Sequence, residues 1–160
     1  GDVETPVSER RPDPGFILNR APYDRASILL ARANFGCGSS REHAVWALKD
    51  FGVRAVIASS FGDIFFNNCF NNGLLPVILD ESTIDELFDL ASDTDGLELT
   101  VDLEQCEIRS PKKTWRFVVE SGRRENLLSG LDEIGRTLTF SGSIQAYEAN
   151  RRTLEPWLFE

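Results

Sequence analysis

Three short apolar runs, Ser27 to Ala31, Arg54 to Ser59 and Leu75 to Leu79, constrain this chain most. Each is bounded by turn formers and is too short for a helix, so each reads as a buried strand. Pro76 interrupts the third at its entry. Two longer stretches with helical spacing separate the runs. Arg41 to Phe51 offers Ala44, Trp46, Ala47 and Leu48 to a buried side and stops at Gly52. Phe61 to Asn72 spaces Ile64, Phe65, Cys69 and Phe70 for one face and stops at Gly73. Strand, helix, strand, helix, strand in that order predicts right-handed crossovers and a parallel sheet.

The rest of the chain adds to this unit. Asp80-Glu81-Ser82 opens another helix, with Ile84, Leu87, Phe88 and Leu90 apolar, which ends near Asp95-Gly96. Three short strands follow, Leu97 to Leu103, Glu107 to Arg109 and Thr114 to Glu120. Leu97, Leu99, Val101 and Leu103 alternate with polar residues, as in a half-exposed strand. Ser110 to Lys113 is the hairpin turn between the last two. From Gly122 to Arg152 the pattern is helical, broken near Gly130 and at Ser141-Gly142. Residues 1–15, with Pro6, Pro12 and Pro14 among charges, read as a flexible tail. Residues 16–160 read as a single domain. The fold class is α/β: a mainly parallel sheet with flanking helices, short antiparallel strands and a C-terminal helical segment.

Charge and composition narrow the function. With 160 residues, 41% of them hydrophobic, the chain is long enough to bury a core. A net charge of −9 argues against nucleic acid or an anionic membrane as partner. No apolar run approaches the ~20 residues that cross a bilayer, and no secretory leader opens the sequence. The three cysteines, Cys37, Cys69 and Cys106, are far apart in sequence, which predicts no metal site within the chain and suits a reducing cytosol. His43 is the sole histidine.

The chemistry concentrates between the first strand and the first helix, in Asn34-Phe35-Gly36-Cys37-Gly38-Ser39-Ser40-Arg41-Glu42-His43-Ala44. Gly36 and Gly38 allow a tight turn and close approach of the backbone to a ligand. Ser39 followed by Glu42 has the spacing of a capping box, with Ser39 as N-cap. Free N–H groups at such a helix start favour an anion, and Arg41 adds a guanidinium suited to a carboxylate. A cation in the first turn opposes the helix dipole unless an anion lies between them. The alternative is an ordinary strand-to-helix connection with a good cap, and Arg41 paired with a neighbouring carboxylate. A serine hydrolase is not indicated: it needs a base within reach and a third group to orient that base, His43 is the sole imidazole and lies one turn beyond Ser39, and the G-x-S-x-G elbow is absent. Arg123 and Arg124, at the start of a later helix, read as a solvated face, with a second anion contact as the alternative.

This stretch resembles the signature G-x-G-S-S-R-E-H-A of the aconitase swivel-domain family. Phe16 to Asn19, Trp46 to Leu48, Ser60 to Phe65, Asn71 to Pro76, Gly130 to Gly135 and Ala146 to Glu148 are similar to the bacterial branch of 3-isopropylmalate dehydratase small subunits. The likeness runs from about Phe16 to about Tyr147. It implies a swivel-type fold and a heteromeric hydro-lyase that isomerises 2-isopropylmalate to 3-isopropylmalate by dehydration and rehydration, in leucine synthesis and in the cytoplasm. It further implies that Ser39 is the catalytic acid and base, that Gly38, Ser40 and Arg41 bind a small dicarboxylic hydroxy acid, and that Gly36, Glu42 and His43 support the loop. No cofactor is expected in this chain. The resemblance places a 4Fe–4S cluster on a separate large subunit, the expected partner. The family's D-T-D-x-I-x-P string and its specificity loop, both N-terminal, have no counterpart in these residues. Related readings are a homoaconitase-like or methylmalate-type dehydratase subunit, and, from another class, a non-enzymatic anion-binding module.

Overall fold

The structure is a computed structural model; it describes residues 6–9, 11–38, 41–94, 96–131 and 133–159. Strands β1 (Ile28–Leu30), β2 (Ala55–Ala58) and β3 (Leu75–Ile78) form a parallel sheet in the order β1-β2-β3. Helix α1 (His43–Phe51) joins the first two and α2 (Asp63–Asn71) the last two. The expected strand and helix order is therefore present. Strand β2 is buried along its whole length, as a central strand covered on both faces must be.

Alternation along β2 divides the core. Ala55 and Ile57 face one cluster with Leu75, Val77, Ile84, Leu87, Ile108 and Trp115. Val56 faces the other, with Val45, Val53, Phe65, Cys69 and Leu74. Helices α1 and α2 cover this second face. The first is covered by α3 (Glu81–Asp93) and by an antiparallel sheet of β4 (Thr100–Asp102), β5 (Glu107–Arg109) and β6 (Thr114–Arg116). Parallel and antiparallel strands thus lie in two separate three-stranded sheets among the described residues. Glu86 of α3 ties the layers, accepting from Lys113 Nζ at 2.6 Å and from Trp115 Nε1 at 3.1 Å.

Several expectations about faces are corrected. On α1 the buried residue is Val45, with Leu48 half-buried; Ala44 and Ala47 are exposed and Trp46 is 43% exposed. The packed stripe is instead Val45, Leu48 and Phe51, one helical face turned to the second cluster. On α2, Phe65 and Cys69 are buried as expected, but Ile64 is 58% exposed. It is one residue from the buried Phe65, about 100° further around the helix, and so turns off the packed face. The C-terminal helices are α4 (Ser121–Ser129), α5 (Glu133–Leu138) and α6 (Ser141–Leu154). The break at Gly130 is a left-handed C-cap. The second break comes at Thr139-Phe140, and Ser141-Gly142 open α6 rather than interrupt it. Arg123 is no solvated residue. Its guanidinium lies 4.8 Å from the Phe70 ring centroid, donates to Asn67 Oδ1 at 2.9 Å, and so fastens α4 to α2. Part of the expected tail, residues 1–5 and 10, lies outside the described residues; a short 3-10 turn, Val7–Glu9, falls within it.

Asp80 caps α3, accepting the Thr83 N–H at 2.9 Å. Hydroxyl donation from Ser82 and Thr83, and this N–H, hold its carboxyl well below the usual carboxylate range. Folding lowers this pKa from about 3.9. Its stabilising contribution is therefore complete above that pH and is lost as pH falls through the folded value. Asp80→Ala should melt lower than the parent at pH 7, and the gap should narrow progressively below about pH 4. Parallel thermal melts by circular dichroism check this.

Candidate functional site at the carboxyl ends of the first two strands

Beyond Leu30 the chain leaves β1 but returns to β2. Phe35 bridges Phe61 in parallel fashion. Its N–H donates to the Ser60 carbonyl at 3.0 Å, and its carbonyl accepts the Gly62 N–H at 2.9 Å. Ser60 Oγ also accepts the Asn34 N–H at 2.8 Å. Asn34 and Gly36 both take left-handed conformations, φ +58° and +73°, which asparagine and glycine tolerate best. The Cys37 N–H then closes the turn onto the Asn34 carbonyl at 3.1 Å. The turn therefore stands over the carboxyl ends of β1 and β2, where open α/β sheets bind ligands.

Aromatic packing fixes it there. The Phe35 ring meets Phe65 edge-on at 5.3 Å and Phe61 edge-on at 6.2 Å. Such edge-to-face pairs add about 0.5–1.5 kcal/mol each beyond burial. Gly36 lies so close to α2 that a β-carbon there would come within 2.2 Å of the Phe65 ring. From the other side, a β-carbon on Gly62 would meet the Cys37 backbone at 3.1 Å. Turn and helix start are pressed together: Gly36 admits no β-carbon, and at Gly62 one would fit only if the Cys37 backbone gave way slightly.

Of the expected site residues, Gly36 and Gly38 stand in this turn, Gly38 exposed with φ +146°. Ser39 and Ser40 lie outside the described residues. Arg41 is exposed just before α1, and among the described residues it forms no salt bridge. The Ala44 and Val45 N–H groups make tight bonds to the Arg41 and Glu42 carbonyls at 3.0 and 2.9 Å. The helix consequently starts at His43 with Glu42 in the N-cap position, where the capping-box reading put Ser39. The Glu42 carboxylate turns outward from its own helix and accepts Asn72 Nδ2 at 2.8 Å. His43 is exposed, its ring 4.7 Å from that of Trp46. Ser60, Gly62, Phe65 and Asn72, which hold the turn and its exit, come from segments distant in sequence.

The thiols are dispersed. Cys69 is buried in α2, and burial pushes its pKa up to about 12, which makes it an inert packing group. Cys37 is exposed in the turn and Cys106 half-buried beside β5. Among the described residues no three His, Cys, Asp or Glu side chains gather as metal ligands, and no helix is long and apolar enough to cross a membrane.

Comparison with known proteins decides the family. The Aconitase C-terminal domain profile matches residues 3–82 and a LeuD_N profile residues 85–121. The profile for the C-terminal domain of the 3-isopropylmalate dehydratase small subunit matches residues 133–160. The 3-isopropylmalate dehydratase small subunit of Marinobacter nauticus is 53% identical over 99% of this chain and 74% of its own length. This chain belongs to the 3-isopropylmalate dehydratase small-subunit family. The small subunit of Hahella chejuensis is 54% identical over the same shares. A crystal structure of 3-isopropylmalate dehydratase from Methanocaldococcus jannaschii superimposes with a TM-score of 0.56 at 35% identity, covering 76% of this chain and 68% of that one. The swivel-type α/β fold expected from the resemblance is thus the family's fold. The small-subunit names do not favour the homoaconitase-like or anion-binding alternatives.

Gly36→Ala should be more damaging than Gly38→Ala. Both positions have positive φ, but only at Gly36 does the added methyl meet the Phe65 ring; at Gly38 nothing lies within 4 Å. A larger fall in melting temperature for Gly36→Ala, measured side by side, is the expected outcome.

Proposed function

We propose that this chain acts as the small subunit of a two-component hydro-lyase that interconverts 2-isopropylmalate and 3-isopropylmalate in the cytoplasm. The observation that carries the reading is the glycine turn held over the carboxyl ends of β1 and β2, in a chain 53% identical to named small subunits. In the sequence Ser39 and Ser40 follow this turn directly, and Arg41 stands just before α1. In the reaction a proton leaves the carbon next to a carboxylate and the hydroxyl leaves its neighbour. Water then adds back with the two positions exchanged.

In this reading Ser39 takes and returns the proton. A hydroxyl is a very weak base in water, and it serves only where donors and positive charge stabilise its alkoxide. Arg41 brings that charge, and with Ser40 and the Gly38 backbone it holds the substrate carboxylates. Gly36, Glu42 and His43 support the loop. The hydroxyl needs a Lewis acid to leave. The residues of this chain do not fit an iron–sulfur cluster, because Cys37, Cys69 and Cys106 lie in separate parts of the fold. A 4Fe–4S cluster on the large subunit is the proposed source of that chemistry.

The test is reconstitution with the cluster-bearing large subunit, followed by an isomerisation assay. The wild-type complex should turn over 2-isopropylmalate. Ser39→Ala should retain substrate binding and lose turnover by a factor of 10² or more, since general acid–base groups contribute ~10²–10⁴. Arg41→Lys keeps the charge without the two-pronged geometry, and both binding and turnover should weaken. Near-normal turnover by a folded Ser39→Ala complex would remove the catalytic role.

A further inference from the structure

The exit of the turn is pinned by one residue, Asn72, whose side-chain donors are both used. Its Nδ2 donates to Glu42 Oε1 at 2.8 Å and to the Asn68 carbonyl at 2.9 Å, while its Oδ1 accepts the Trp46 indole N–H at 2.8 Å. Its backbone carbonyl accepts Lys49 Nζ. Glu42, Trp46 and Lys49 are the N-cap position, first turn and last turn of α1. Asn72 is the C-cap of α2.

Chemistry fixes the amide in one orientation. An indole N–H only donates, and a carboxylate and a backbone carbonyl only accept. A reversed amide would set oxygen against two acceptors and N–H against a donor. No other side chain of this size offers two donors on one branch and an acceptor on the other. Bonds to an ionised group are the stronger kind, and the one to Glu42 lies next to Arg41.

We propose that Asn72 is a positioning residue, which through Glu42 and Trp46 sets the place of Arg41 and Glu42 at the start of α1. The proposal rests on the reading of Arg41 as a carboxylate binder. Asn72 itself touches no substrate. It converts the packing of α2 on the sheet into a fixed starting point for α1.

The diagnostic variant is Asn72→Asp, nearly the same in shape. It keeps the acceptor for Trp46 but faces Glu42 with a second carboxylate. Glu42→Gln in the same chain supplies a donor for it and should restore part of the contact. Two readouts apply. Hydrogen exchange of the amides at 41–45 should quicken about tenfold in Asn72→Asp, with α3 amides unchanged, and return partway in the double variant. In the complex with the cognate large subunit, KM should rise about tenfold with the same pattern of rescue. A merely structural role would lower the active fraction, and so apparent kcat, while leaving KM alone. Unchanged exchange at 41–45, a fall in kcat at constant KM, or no recovery on adding Glu42→Gln would overturn the proposal. An inactive wild-type complex would defeat the functional reading instead, and the exchange measurement would still decide the role of Asn72.

Discussion

The contact between the Gly36 backbone and the Phe65 ring governs the arrangement around the site. A β-carbon at Gly36 would overlap the ring, so the turn can lie flat on α2 only because that position has none. Once it lies there, Phe35 reaches both Phe61 and Phe65, and its backbone is captured by Ser60 and Gly62. Close-packed interiors transmit such constraints with little give. The loop's entry is therefore set by the hydrophobic core, and its exit by polar bonds between α1 and α2.

That division of labour follows from where each end of the loop sits. The entry is continuous with strands whose β2 neighbour is wholly buried, so apolar packing can hold it. The exit emerges at the surface, with Arg41, Glu42 and His43 all exposed. Apolar packing has little to offer there, and directed hydrogen bonds from Asn72 take over.

Much of this was legible in the sequence. Short apolar runs identified β1, β2 and β3, most plainly β2, because a strand buried on both faces has no polar residues to confuse the pattern. The glycines at 36 and 38 marked the turn, since they stand where the backbone needs positive φ. Other features were not legible. The buried side of α1 is set by the cluster it packs on, which takes Val45, Leu48 and Phe51, while the alanines at 44 and 47 are left exposed. Glu42 had the right spacing for a capping box, yet its carboxylate meets Asn72, thirty residues away in sequence. Arg123 read as solvated because nothing local shows that Phe66 and Phe70 turn their rings toward it.

Pro76 has a consequence of another kind. Strand β3 lies at the outer side of the parallel sheet, and Leu75 and Leu79 donate inward to Arg54 and Ala58. Residue 76, between them in the alternation, faces outward, where its missing N–H leaves a gap in the row of donors. The residue that looked like a flaw in the strand therefore falls where its pairing with β2 asks for no N–H, and the parallel ladder runs past it unbroken.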